Sequence, residues 1–313
     1  MADKKTGGVG KDFIALVGRT PLVRISKAVK LSGRTRILAK AEWTNPGGSV
    51  KDRAAARMIL EGERSGHLTR KKIILDATSG NTGIAYACIA AARGYRLRLC
   101  VPSNISEERK HILAALGAEV IYTSGQEGSD GAIREARRLF QKSPGRYYYP
   151  NQYGNAENWK AHFFSTGPEI WEETRGRVTH FVATVGTGGT LMGTGRFLKG
   201  KKSSIRVIAV EPDSPFHGLE GMKHMASSIV PDIYDRNFAD ETIFVSTESA
   251  HDAIRRTARR EGLLIGLSSG AALAASEIVA KKMAGKKSSA VIVTVFPDNA
   301  DKYLTERFWK ENE

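Results

Sequence analysis

Apolar positions along this chain follow two rhythms that alternate. Residues 72–77, 96–101 and 119–123 read as buried strands, and 82–93, 107–116 and 130–141 show helical periodicity. Ahead of them, 12–25 is expected to be irregular around Gly18, Arg19, Thr20, Pro21 and Leu22, and 37–43 alternates as a strand does. A Tyr-rich stretch with one Pro, 147–153, interrupts the series. The scheme then resumes with a helix at 157–174, a strand at 178–184, a helix at 190–198 and a strand at 205–210. A strand at 243–245, helices at 249–260 and 269–283, a strand at 290–295 and a short terminal helix complete it. Strands separated by helices predict an α/β chain built on parallel sheets. Between the last two groups, 211–240 mixes Pro, His, Met and Asp without periodicity. A loop of that length in a compact chain is functional or disordered, and this one is expected to close over a ligand.

Composition narrows the class. The 313 residues suffice for two lobes or one large domain, and 41% hydrophobic with 26% charged residues is ordinary for a soluble globular protein. The formal charge of +15 comes from 48 basic against 33 acidic residues. The basic residues are scattered, with short clusters at Lys71 and Lys72, Lys201 and Lys202, and Lys286 and Lys287, which argues for anionic small substrates rather than nucleic acid. Cys88 and Cys100 fall inside apolar elements, so neither a disulfide framework nor a metal site is expected. The polar start and the lack of a spanning apolar run predict a cytoplasmic protein with no membrane partner.

The stretch Asn45, Pro46, Gly47, Gly48, Ser49, Val50, Lys51, Asp52, Arg53 changes the picture most. Pro and paired Gly force a turn, Ser49 suits an N-cap, and a helix over 50–64 would place Lys51 at its second position. The positive end of a helix disfavours an ammonium there, which favours the neutral, nucleophilic amine. The alternative is a solvated surface lysine. Three loops follow strands, where open α/β sheets place ligands. Thr78, Ser79, Gly80, Asn81, Thr82 and Gly83 open a helix with free amides and three hydroxyls, suited to a carboxylate or simply to capping. Gly186, Thr187, Gly188, Gly189 and Thr190 read as an anion cup without a nucleotide signature, or as a turn with no ligand. Ser268, at a third helix entry, could bond a ring nitrogen or cap the helix. Together these make an inventory for pyridoxal phosphate and an amino acid.

The same residues, with Thr166, Gly167, Pro168, Glu169, Ile170 and Trp171 and with Ser268, Ser269, Gly270, Ala271 and Ala272, resemble the cysteine synthase and cystathionine β-synthase family from about residue 14 to 303. The resemblance implies pyridoxal phosphate fold type II: two lobes of open, twisted, mostly parallel sheets with helices on both faces, in a homodimer. Residues 1–43 with 156–313 would form the large lobe and 44–155 the small one. It further implies that Lys51 forms the internal aldimine, that Asn81 meets the ring hydroxyl, and that Gly186, Thr187, Gly188, Gly189 and Thr190 hold the phosphate. Ser268 would meet the pyridine nitrogen. Thr78, Ser79, Thr82 and Gln152 would bind the substrate α-carboxylate.

The reaction so implied is β-replacement. Lys51 takes the α-proton as general base, the β-substituent leaves an aminoacrylate, and sulfide or another thiol adds. Threonine dehydratases and serine racemases usually carry His where Thr82 stands. The loop Gly218, Leu219, Glu220, Gly221, Met222, Lys223, His224, Met225 looks closer to B-type cysteine synthases, and Lys223, with His224, is expected to meet the phosphate of O-phosphoserine. Synthesis of cystathionine from serine and homocysteine stays open as an alternative, as does a non-catalytic relative that binds a partner. Retention of Lys51 and of all three loops argues against the latter.

Overall fold

The computed structural model describes residues 12–31, 33–78, 80–284 and 289–310 of the chain. Of the residues singled out above, Ser79, Lys286 and Lys287 lie outside the described ones, as does the stretch 1–11.

The first sheet contains β3 (Ile73–Ala77), β4 (Arg96–Pro102), β5 (Glu119–Thr123) and β6 (Tyr147–Tyr148), in the order β5-β4-β3-β6 and all parallel. Every residue of β3 is buried, as expected of a central parallel strand covered on both faces. One face packs on α1 (Lys51–Arg64) and α2 (Asn81–Arg93) through Ala55, Met58, Ile59, Ala85 and Ile89. The other face carries α4 (Gly128–Lys142) through Ala132, Ile133 and Ala136. Helix α3 (Glu107–Ala115) joins β4 to β5.

The second sheet is built from β1 (Leu22–Ile25), β2 (Arg36–Ala41), β7 (His180–Thr184), β8 (Arg206–Pro212), β9 (Glu241–Val245) and β10 (Val291–Phe296), ordered β1-β2-β10-β7-β8-β9. Only β1 runs antiparallel to its neighbour. Helices α8 (Thr247–Glu261) and α9 (Leu267–Lys282) bury one face with Ile254, Leu273 and Val279. Helices α6 (Thr166–Glu173) and α7 (Gly189–Lys201) bury the other with Ile170, Leu191 and Leu198.

Four expectations need correction. Residues 22–25, expected to be irregular, form β1, paired from Leu22 opposite Lys40 to Ile25 opposite Ile37. A strand of four residues has too short a pattern to read, and its partner decides it. The single helix expected at 157–174 is two, α5 (Ala156–Phe164) and α6. Pro168 would drive its ring into the Phe164 carbonyl in a continuous helix, so the chain breaks at Ser165, whose hydroxyl donates to Ala161 O at 2.7 Å. The expected terminal helix consists of 3₁₀ turns at Asp301–Tyr303 and Arg307–Trp309. Here the Tyr303 carbonyl accepts from the Glu306 amide at 3.1 Å, a three-residue turn bond, and from the Trp309 side chain at 2.9 Å, while the Phe308 carbonyl accepts from the Arg255 side chain at 2.9 Å. Finally, α1 begins at Lys51, one residue later than expected.

Between β8 and β9, residues 213–240 form neither helix nor strand, but Leu219, Met222, Lys223, Met225 and Tyr234 are buried. The loop is packed against the carboxyl ends of the strands.

Candidate active site

The turn before α1 is held from three sides. The Gly48 amide donates to Asn45 O at 2.8 Å, the Gly47 amide to Asp52 Oδ2 at 2.5 Å, and the Val50 amide to Pro297 O at 2.8 Å beyond the end of β10. Gly48 has φ +77°, a left-handed conformation that glycine adopts without strain. Ser49 Oγ accepts from the Lys51 amide at 3.2 Å, but the N-cap position belongs to Val50, one residue after the serine expected there. Lys51 is therefore the first helical residue. Burial lowers the pKa of its amine, and Asp298 opposes the shift. The described residues offer it no ion pair.

Across the cleft, the loop after β3 is set by its own side chains. Thr78 Oγ1 accepts from the amides of Gly80 at 3.0 Å and Gly83 at 3.2 Å. Thr82 Oγ1 donates to Gln152 Oε1 at 2.8 Å, and Gln152 Nε2 donates to Ala77 O at 2.5 Å. Behind them the buried Asp76 accepts from the Gln152 amide at 3.2 Å and from Tyr86 OH at 2.9 Å. The Asn81 and Thr82 amides at the start of α2 have no acceptor among the described residues, which leaves an anion site at a helix N-terminus.

Asn81 Nδ2 donates to Asp298 Oδ2 at 2.7 Å, while its Oδ1 is buried with no partner among the described residues. Tyr303 OH donates to the same Asp298 oxygen at 2.8 Å and accepts from Arg109 Nη2 at 2.7 Å. The Arg109 guanidinium also pairs with Glu220 of the long loop. Sequence reasoning missed these four residues. A carboxylate just past a parallel strand is a readable signal for Asp298, but Arg109, Glu220 and Tyr303 carry none, because only folding brings them together.

The glycine loop after β7 leads into α7. A Cβ on Gly186 would stand 2.3 Å from Gly221 O, and Gly188, at φ +84°, would place one 2.9 Å from Tyr234 Cβ. The amides of Thr187, Gly188 and Thr190 have no acceptor among the described residues. Three such donors at a helix N-terminus form a cup for an anion. Ser268 is partly exposed near the start of α9.

Lys51, Thr78, Asn81, Thr82, Gln152, Lys223, Ser268 and the residues of the glycine loop line one cleft of about 910 Å³, its open mouth included. Lys223 is buried and donates to Asp130 Oδ1 of α4 at 2.5 Å. His224 instead bonds the Ser227 hydroxyl at 2.8 Å and does not line the cleft.

A family profile described as pyridoxal-phosphate dependent enzyme matches residues 14–298. The chain belongs to that family. Its sequence is 51% identical to the cysteine synthase of Aquifex aeolicus over 303 residues, covering 96% of this chain and 93% of the relative. Cysteine synthase B of Salmonella typhimurium is 38% identical, with 92% and 93% covered. The solved cysteine synthase of Entamoeba histolytica superimposes with a TM-score of 0.91 at 36% identity, covering 100% of this chain and 94% of that one.

The residues lining the cleft fit pyridoxal phosphate. Burial lowers the pKa of the Lys51 amine, the cup holds amides without an acceptor among the described residues that could take a phosphate, and Asn81 Oδ1, with no partner among them, could accept from a ring hydroxyl.

Proposed function

We propose that this enzyme forms L-cysteine by replacing the β-substituent of an activated serine, O-acetylserine or O-phosphoserine, with sulfide or another sulfur donor. What carries the reading is the single cleft in which a lysine of lowered pKa, an anion cup and a second helix N-terminus meet. The cysteine synthases named above support it.

In this reading Lys51 holds the cofactor covalently, and Gly186, Thr187, Gly188, Gly189 and Thr190 hold its phosphate. Asn81 meets the ring hydroxyl and Ser268 the ring nitrogen. Pyridoxal phosphate bound there supplies the electron sink for the pair released when the α-proton leaves. Thr78, Thr82 and Gln152, with Ser79 of the same loop, bind the substrate carboxylate at the start of α2. That contact fixes the α-carbon toward Lys51, whose amine takes the α-proton and later returns it. Lys223 meets the donor's phosphate, when there is one, by exchanging Asp130 for it.

The two sheets support a division into lobes at 44–155 and 1–43 with 156–313. Exposed Leu16, Leu60 and Phe164 beside a groove containing Ile14, Val17 and Ala161 support a homodimer. No described helix is long and apolar enough to cross a membrane, and the free thiols of Cys88 and Cys100 support a cytoplasmic placement.

The test is product analysis of the purified enzyme given O-acetylserine or O-phosphoserine with sulfide, and serine with homocysteine, alongside Lys51→Ala. Cysteine from at least one donor, lost in the variant, is expected. Cystathionine alone would replace this reading with the second reaction. An intact protein that takes up no pyridoxal phosphate and forms neither product would favour a binding role.

A further inference from the structure

The cleft lies at the carboxyl ends of the strands of the second sheet. At the opposite edge of that sheet, where β2 and β10 begin, a second hollow of about 1780 Å³ opens to solvent, its mouth included. Strand register builds its floor. Arg24 of β1 stands opposite Leu38 of β2, and Val291 of β10 opposite Arg36, so these four side chains share one face of the sheet. That face is the one covered by α6 and α7. The ends of the two helices supply the walls, with Glu173 closing α6, Arg177 in the segment after it and Lys202 just past α7. Arg34 enters from the segment before β2.

Five cations from separate parts of the chain thus surround one hollow that holds a single carboxylate. That carboxylate is already engaged, since Glu173 Oε2 is 2.7 Å from the ammonium of the buried Lys40. Arg24, Arg34, Arg36 and Lys202 are exposed and pair with no carboxylate among the described residues. Arg177 donates from Nε to Thr174 O at 3.0 Å, and its two terminal nitrogens have no acceptor among those residues. Elsewhere on the surface arginines find acids, as Arg64 does with Glu61, Arg134 with Glu127 and Arg138 with Glu135. Like charges gathered in a hollow repel one another, so the cluster does not serve the stability of the fold.

The lining also limits the partner. No aromatic ring lines the hollow among the described residues, so a nucleobase finds no platform to stack on. The cations converge on a concavity instead of following a stripe, which suits a compact ligand and not a duplex. The planar forks of arginine match the paired oxygens of phosphate groups.

We propose that this hollow binds a compact polyanion that carries several phosphate groups and no base, at a site separate from the cleft. The guanidinium groups of Arg24, Arg34, Arg36 and Arg177 hold phosphate oxygens, and Lys202 adds charge at the rim. The proposal does not depend on the reaction assigned to the cleft.

Inorganic tripolyphosphate is the probe, titrated calorimetrically into the holoenzyme so that the glycine cup is already filled. One tripolyphosphate per chain is expected, bound with no change in the visible absorption of the cofactor and less tightly as ionic strength rises. Arg34→Ser with Arg36→Thr should weaken binding by about tenfold or more, as should Arg24→Thr with Lys202→Ser, because each pair removes two charged contacts. These four residues are exposed and outside the cleft, so turnover should be unchanged in both variants. Arg259→Ser with Arg260→Ser, which takes the same charge from the end of α8, should bind as wild type does. No saturable binding, or equal losses in the hollow and α8 variants, would leave only diffuse attraction to a basic surface and overturn the proposal. A shift of the cofactor spectrum would put the ion in the cleft and overturn it as well. So would a short DNA duplex that binds more tightly than tripolyphosphate and loses affinity in the same hollow variants, since the face would then be a nucleic-acid interface.

Discussion

Arg53 Nη1 lies 2.6 Å from Glu169 Oε1, joining the helix that carries Lys51 to α6. The same guanidinium pairs with the fully buried Glu42 at 2.7 Å, and the fully buried Lys40 holds Glu169 at 2.9 Å and Glu173 at 2.7 Å. Arg53 and Glu169, one from each of the stretches 45–53 and 166–171 singled out in the sequence, thus meet in one ion network with Lys40, Glu42 and Glu173. Removing a single member leaves buried charge uncompensated. Arg53→Met should lower stability by about 3–5 kcal/mol, measured by urea unfolding, and adding Glu42→Gln should recover part of it. The network also sets an acid limit. Burial alone would raise the Glu169 carboxyl, but Arg53 and Lys40 bring its pKa down to about 2. Its contribution is complete above the unfolded-state pKa of about 4.3 and is lost as pH falls toward 2.

The glycine cup leads to a second prediction. A methyl group on Gly186 would meet the Gly221 carbonyl oxygen at 2.3 Å, backbone against backbone, so the long loop must move away. Gly186→Ala should weaken cofactor binding at least tenfold while leaving the far-ultraviolet circular dichroism unchanged. Full retention of affinity would show that the loop yields without disturbing the cup.

Asp76 makes stability depend on pH in the opposite sense to Glu169. Burial raises its pKa to about 7, against bonds from the Ala77 amide, Tyr86 OH and the Gln152 amide. The folded state therefore keeps a proton that the unfolded chain has lost between about pH 4 and pH 7, and stability falls as pH rises through that window. Compared at pH 5 and pH 8, wild type should lose on the order of 2–4 kcal/mol relative to Asp76→Asn. A pH-independent difference would show that the carboxyl stays ionised throughout.

Much of this could be read before folding because periodicity and turn chemistry are local. Strands β3 to β5 and helices α2 to α4 lie within two residues of their expected bounds, and the loops at 78–83 and 186–190 follow strands β3 and β7, as expected; the third, at 266–270, though expected to follow a strand, follows helix α8. What escaped was non-local. Strand β1 exists because β2 pairs with it, and Arg109 and Tyr303 meet across 194 residues of chain. The break at Ser165 was legible in Pro168, whose missing amide and ring forbid a continuous helix there.

Lys223 and Asp130 provide the last prediction, because their pairing bears on the choice of donor. The ammonium is buried and 2.5 Å from Asp130 Oδ1, and Asp130 Oδ2 also accepts from the Ile229 amide at 2.8 Å. A phosphate arriving with the substrate would compete with a carboxylate already in place, whereas an acetyl ester would leave the pair undisturbed. Lys223→Ala should therefore raise KM for O-phosphoserine selectively, with little change for O-acetylserine. Asp130→Asn should do the reverse for the phosphorylated donor, lowering its KM by freeing the lysine. Salt adds a check, since the gain in Asp130→Asn should shrink as ionic strength rises. Equal effects of Lys223→Ala on both donors would assign the lysine to holding the loop against α4 and leave the donor's phosphate to another group.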